Sequence, residues 1–91
     1  MSDMKAIQKS RCAVLFDMCE SDLRACARVF HKELSALKQK GNKYNYKVVL
    51  FLAYKQGVDL KEVYPHEDKD AMLREQEAIM ESIYGNDKSL W

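Results

Sequence analysis

The stretch of sequence that decides the fold is residues 48–54, Val-Val-Leu-Phe-Leu-Ala-Tyr, the longest unbroken apolar run in the chain. A run of this kind fits a buried strand or a buried helix equally well. The chain offers no second strand-like run, and a lone strand would leave its backbone amides unsatisfied. We therefore predict a helix over about residues 45–56, capped by Asn42 or Asn45 and ended by Gly57. Because this helix is apolar nearly all round, we expect it at the centre of the domain.

Residues 23–38 form the clearest amphipathic segment. Its apolar residues recur at intervals of three and four, as on one face of a helix: Leu23, Cys26, Ala27, Phe30, Leu34 and Leu37. Lysines near its end and Gly41 just beyond it are typical of a helix C-terminus. The stripe is shorter than the three or four heptads of a coiled coil, so we predict packing within the chain. A homodimer formed through this stripe is the alternative.

Three further helices complete the predicted bundle. The first begins after Ser2 or Asp3, either of which can cap the free amides of a first turn. Asp59 and Glu62 match an Asp-x-x-Glu variant of the capping box, which predicts a short helix from Leu60. The last helix runs from about residue 68 to residue 84. With 91 residues in all, we predict a single helical domain over residues 1–91, all-α, a compact bundle of four to five helices.

Cysteine usage and hydropathy point to the cytoplasm. Cys12, Cys19 and Cys26 are odd in number and seven residues apart, about 10.5 Å along a helix, too far for a disulfide or a shared metal ion. We expect reduced thiols packed as small apolar residues. The longest apolar run is well short of the roughly 18 residues that span a bilayer. The N-terminal residues do not match a signal peptide, so no membrane association is expected.

Charge is distributed unevenly, although the formal net charge is only +1. Residues 1–65 carry twelve Lys and Arg against seven Asp and Glu, whereas residues 66–91 carry three against seven. This predicts a basic face on the helix over residues 23–38 and an acidic face on the last helix. The two faces either compensate each other within the chain or meet a partner of opposite charge. The candidate partner-binding residues are Arg24, Arg28, His31, Lys32 and Lys38.

A second function class is DNA binding. Ala53, Gly57 and Val63 have the spacing of a helix-turn-helix, in which a small residue lets the helices approach and glycine takes the left-handed turn. Pro65 shortens the would-be recognition helix. We interpret residues 46–66 either as a degenerate helix-turn-helix of a transcriptional regulator or as a plain helical corner.

Two further sets of residues are candidates for binding. Cations and aromatic residues alternate over residues 43–47, as in surfaces that bind phosphates and stack bases. The candidate nucleic-acid contacts are Lys43, Tyr44, Tyr46 and Lys47, with Lys61 from the helix-turn-helix segment. Trp91 is either a hydrophobic hook folded onto the core or an exposed anchor for a partner.

Catalysis is not expected. His31 and His66 are the two histidines. No Cys, Ser or Asp is spaced to act with His31 on its helix face, and His66 lies beside acids but has no nucleophile near it. The acids at residues 67–70 lack the glycine and the distal glutamate of a calcium loop. We therefore expect no catalytic residue, no metal site and no cofactor. What remains is a small non-catalytic regulator, adaptor or inhibitor that binds another protein through a charged helical face, with DNA binding as the alternative.

Overall fold

The computed structural model describes residues 5–91. Within this range six α-helices accompany one small antiparallel sheet. In chain order the elements are β1 (Ile7–Gln8), α1 (Lys9–Leu15), α2 (Glu20–Val29), α3 (His31–Ala36), β2 (Lys43–Tyr44), α4 (Tyr46–Gln56), α5 (Leu60–Val63), α6 (Lys69–Tyr84) and a final 3-10 turn (Lys88–Leu90).

The long apolar run is helical, as predicted. Helix α4 starts after Asn45 because the Oδ1 atom of Asn45 accepts a hydrogen bond from the Val48 amide at 2.9 Å. It ends at Gly57, whose φ of 68° lies in the left-handed region that glycine adopts without steric cost. Six consecutive side chains, from Val48 to Ala53, have no exposed surface. Helix α4 is therefore the central helix of the bundle, as expected.

The other elements supply the rest of one core around α4. Helix α6 makes the most extensive helix–helix contact with α4, and it buries Met72, Ile79 and Met80. The rings of Phe30 and Phe51 meet edge to face, with centroids 5.5 Å apart. The remaining buried apolar side chains are Cys12, Ala13, Phe16, Leu23, Leu34, Tyr44, Leu60 and Val63. The all-α fold is confirmed.

The helix predicted over residues 23–38 is divided in two, which raises the number of helices to six. Phe30, with φ −102° and ψ 28°, ends α2 and caps α3. Backbone hydrogen bonds continue on both sides of the break, from Phe30 N to Cys26 O and from Leu34 N to Phe30 O. The break is therefore a kink at the residue whose ring packs against Phe51, and the predicted apolar face still points inward.

The first helix begins later than predicted. Ser2 and Asp3 lie outside the described residues, and α1 starts only at Lys9. The preceding residues pair instead with β2, Ile7 opposite Tyr44 and Gln8 opposite Lys43. Periodicity did not reveal this short sheet, because two-residue strands carry no alternation. The sheet matters for the site because it holds the start of α1 beside β2.

Asn45 joins the end of α3 to the start of α4. While its Oδ1 caps α4, its Nδ2 donates hydrogen bonds to Leu37 O at 3.2 Å and to Lys38 O at 3.3 Å. The predicted helix stop at Gly41 is therefore wrong by several residues. Helix α3 ends at Ala36. The carbonyls of Leu34 and Ser35 accept from the Gln39 and Lys38 amides in a turn with left-handed Lys38, and Asn45 binds the two carbonyls that follow the helix.

The last two helices begin as their capping residues predict. Asp59 accepts a hydrogen bond from the Lys61 amide at 3.0 Å, and Asp68 accepts one from the Ala71 amide at 3.3 Å. One buried polar residue of α6 was not anticipated. Gln76 donates from Nε2 to Leu50 O at 2.8 Å, so its amide is satisfied inside the α4–α6 contact.

Candidate functional site

Cations from three different elements surround Tyr44. The strand pairing places Ile7 opposite Tyr44, and α1 follows directly, so Lys9 Nζ lies 5.4 Å from the centroid of the Tyr44 ring. Arg24 lies on α2, which packs against α1. Lys43 is the exposed residue that precedes Tyr44 on β2. The fold thus brings together cations that are far apart in sequence.

Two more cations continue this patch along the kinked helix pair. Arg24, Arg28 and Lys32 are spaced four residues apart and are all exposed, and positions four apart share one side of a helix. We call Lys9, Arg24, Arg28, Lys32 and Lys43 the basic surface. A shallow groove of about 580 Å³ at Arg24 and Arg28 is lined by residues of α2 alone. It is an exposed helix face and not an enclosed pocket.

Ion pairs compensate little of this positive charge. Arg24 pairs with Glu20 of its own helix at 2.7 Å, an exposed pair four residues apart. Among residues 5–91, no other ion pair within 4.0 Å involves the basic surface, and none joins α2 or α3 to α6. A hydrogen bond links α6 to α3 instead: the neutral Tyr84 hydroxyl donates to the Glu33 carboxylate at 3.0 Å. The opposite charges of the two faces are therefore not joined directly by ion pairs within the described residues.

The tyrosines at residues 43–47 serve the core rather than the surface. Tyr44 is only 2% exposed; burial raises the pKa of its hydroxyl, and the charge of Arg24 opposes that rise. Tyr46 is half-buried, with its ring edge-on to Tyr64 at 5.3 Å and Lys5 Nζ 4.6 Å from its centroid. Lys47 is exposed. The alternating pattern therefore does not present two open aromatic faces to stacked bases.

The corner at residues 53–63 joins α4 to a very short second helix. Ala53 and Val63 are buried, and Gly57 is left-handed, as the spacing predicts. Helix α5 is four residues long. Lys61 Nζ donates to Pro65 O at 2.7 Å and to Glu67 O at 2.9 Å, so this cation holds the following loop.

The remaining candidate residues are His31, Lys38 and Trp91. His31 is exposed at the start of α3, and Lys38 is exposed with a left-handed φ of 62°. Trp91 is half-buried against the core. Its ring meets Tyr54 edge to face, with centroids 6.2 Å apart, and its Nε1 donates to Gly85 O at 3.2 Å. This is the geometry of the intramolecular hook.

A lysine fastens the Trp91 segment to the bundle. Lys55 Nζ donates to the Trp91 main-chain oxygen at 2.8 Å. The same atom lies 4.5 Å from the ring centroid of Tyr84 and 5.0 Å from that of Phe30. Cation–π attraction of this kind is strongest when the cation is partly withdrawn from water, as it is here.

The three cysteines are free, and they occupy three different environments. Cys12 is buried, and desolvation raises the pKa of its thiol to about 12. Cys26 is half-buried, so burial raises its pKa, while a hydrogen bond of 3.0 Å from Gln56 Nε2 opposes the rise. Cys19 is exposed, which is contrary to the expected packing of all three thiols. It lies at the N-cap of α2, outside the core.

Residues 5–91 contain no group of three or more His, Cys, Asp or Glu side chains arranged to hold a metal ion. No helix in the same range is long and apolar enough to cross a membrane.

Sequence reasoning missed two cations that the structure places near the candidate residues. Lys9 belongs to the basic surface, and Arg11 lines a cleft with Lys43. Both are distant in sequence from residues 24–47, and only the pairing of β1 with β2 brings them near. The pairing of these two strands would have revealed their proximity to Lys43, but strands of two residues are too short to recognise in a single sequence.

Comparison with protein-family models, curated proteins and solved structures finds no match to this chain.

Proposed function

We propose that this protein is a small non-catalytic regulator, adaptor or inhibitor that binds an acidic surface of another protein through its basic surface. One observation carries the proposal. Arg24, Arg28 and Lys32 follow one side of the kinked helix pair, Lys9 lies on α1, which packs against α2, and Lys43 lies on β2 beside α1. Four of these five cations have no carboxylate within 4.0 Å among residues 5–91. Clustered charge of one sign steers an oppositely charged partner and fixes how it docks.

The mechanism is occupancy. Helices α2 and α3 are fixed to the core by Leu23 and Leu34, which are buried, so their exposed sides are ordered before any partner arrives. Little conformational freedom is then lost on binding. A bound partner has its acidic surface covered, which blocks or recruits whatever else binds there. We place this activity in the cytoplasm, since three free thiols are typical of reducing compartments.

The test is a charge reversal on the exposed side of the kinked helix pair. In the variant R24E/R28E/K32E every changed side chain is exposed, so the fold is retained while the surface changes sign. The protein and the variant are used to capture partners, and binding to each identified partner is then measured with purified components. We expect the affinity for the true partner to fall by at least about tenfold, which corresponds to about 1.4 kcal/mol.

The matched control is K69E/R74E/K88E, which changes the net charge by the same amount at exposed positions of α6 and the final turn. We expect this control to retain binding. Equal binding by the wild type and R24E/R28E/K32E would remove the basic surface from the proposal. An equal loss in both triple variants would show that net charge, and not this surface, governs the interaction.

A further inference from the structure

A second concave feature lies beside the basic surface. It is a cleft of about 480 Å³ between the β1–α1 segment and the end of α5, and we call it the β1–α5 cleft. Its lining includes Ile7, Leu15 and Val63 as apolar residues, and Lys5, Arg11 and Lys43 as cations. Like the groove at Arg24 and Arg28, it is shallow and open to solvent, so it suits a few side chains of a partner rather than an enclosed small ligand.

The charge of the cleft is positive. Three cations line it, against one carboxylate, that of Glu62. Lys5 is engaged, because its Nζ pairs with Glu67 at 3.1 Å. Arg11 and Lys43 are exposed and have no carboxylate within 4.0 Å among the residues from Lys5 onward. The cleft therefore presents two available cations, Arg11 and Lys43, and one available carboxylate, Glu62, beside an apolar wall, so its free charge is positive.

The walls of the cleft are tied to each other. The Tyr64 hydroxyl donates to Lys5 O at 2.5 Å, which links the segment before β1 to the end of α5. The Tyr64 ring also packs edge-on against Tyr46. Burial raises the pKa of the Tyr64 hydroxyl, so it stays protonated and keeps donating. A cleft held in this way is shaped before a ligand enters, which lowers the cost of binding.

The chemistry favours a short acidic peptide segment as the occupant. The available cations attract carboxylates, and Ile7 and Leu15, both half-buried, offer contact to an apolar side chain between them. We infer that the β1–α5 cleft binds an extended segment in which an apolar residue is flanked by Asp or Glu. This rests on the proposed function, because it takes the partner to be acidic, and it adds where a segment of that partner is held.

The probe is the blocked pentapeptide Glu-Leu-Glu-Leu-Glu, titrated into the full chain labelled with ¹⁵N and followed by amide chemical shifts. Two control peptides replace either every Glu by Lys or every Leu by Ser. We expect saturable shifts at Ala6, Gln8, Leu15 and Val63 with the acidic apolar peptide only. We expect R11E to weaken its binding by at least about tenfold, and R74E, at an exposed position of α6 outside both the cleft and the basic surface, to leave it within about twofold.

Several results would overturn this inference. One is the absence of saturable shifts in the wild type up to about 1 mM peptide, a concentration that detects even weak complexes. Another is equal binding of the lysine peptide, or unchanged binding to R11E when its circular dichroism matches that of the wild type. If the peptide fails while a captured partner still depends on Arg24, Arg28 and Lys32, the cleft is wrong and the proposed function stands. If the peptide binds and no partner depends on those three residues, the cleft is a binding site and the proposed role of the basic surface is wrong.

Discussion

Helices α2 and α4 are nearly equal in length, ten and eleven residues, but they have opposite roles. Helix α4 buries six consecutive side chains, whereas α2 fully buries only Leu23. The fold therefore depends on α4, and α2 is fixed along one edge while its exposed side carries charge. The difference teaches that the helix on which stability depends is not the helix that carries the residues proposed for binding, so each can be changed without the other.

The largest effect is expected from a change in α4. Phe51→Ala removes a fully buried ring that contacts Phe30 and Tyr84. The cavity and the lost apolar burial should lower the free energy of unfolding by about 3–5 kcal/mol. Urea denaturation followed by circular dichroism measures this change.

The control for Phe51→Ala lies on α2. Val29 is 73% exposed, so Val29→Ala should change the free energy of unfolding by less than about 0.5 kcal/mol. Similar losses of unfolding free energy in Phe51→Ala and Val29→Ala would contradict the conclusion that the fold depends on α4 rather than on the exposed side of α2.

The next effect concerns the corner that leads into α4. Asn45→Ala removes the cap on α4 and both hydrogen bonds to the end of α3. We expect a loss of about 1–2 kcal/mol in the free energy of unfolding, measured by urea denaturation. Asn45→Ser keeps an acceptor for the Val48 amide but is too short to reach Leu37 O and Lys38 O. It should therefore recover part of the loss, and full recovery would show that the bonds to α3 contribute nothing.

The segment around Phe51 and its cap Asn45 also show what the sequence could and could not predict. The burial of the segment around Phe51 follows from its uniform apolarity, and its helical state from the lack of a second strand-like run to pair with it. Local chemistry also marks its end at Gly57 and offers Asn45 as one of two candidate caps. The kink at Phe30 and the pairing of Ile7 with Tyr44 depend on contacts distant in sequence. Helical periodicity alone places Arg24, Arg28 and Lys32 on one face. Their proximity to Lys9 and Lys43 could not be predicted, because it depends on contacts distant in sequence.

A moderate effect is expected at alkaline pH. Burial raises the pKa of Tyr84 to about 12, and the hydrogen bond to Glu33 adds to the rise. The unfolded chain releases this proton near pH 10, before the folded chain does, so stability should fall as the pH rises from about 10 to about 12. Urea midpoints measured across this range should fall less steeply for Tyr84→Phe. A slope that is unchanged in that variant would exclude Tyr84 as a contributor.

A small effect on stability is expected on the basic surface. Arg28 is exposed and has no carboxylate within 4.0 Å among the described residues. Arg28→Glu should therefore change the melting temperature very little, with a stability change below about 0.5 kcal/mol. Calorimetry of this variant beside Phe51→Ala tests the contrast directly. A loss comparable to that of Phe51→Ala would mean that the basic surface also maintains the fold.

We expect the protein not to bind DNA. Helix α5 is one turn long, and Lys61 is bound to its own loop. Micromolar protein should leave duplex and single-stranded DNA unshifted in electrophoresis at about 50 mM salt, where phosphate contacts are strong. A shift that weakens steeply with added salt would favour the nucleic-acid alternative over protein binding.

Trp91, the single tryptophan of the chain, gives the molecule a spectroscopic reporter of its own. Its indole contacts Tyr54, and its main chain is held by Lys55, so its emission depends on whether residues 85–91 remain docked. A red shift that precedes the loss of helical circular dichroism would therefore reveal fraying of this end as a separate event. Detachment and global unfolding become distinguishable in an unlabelled sample.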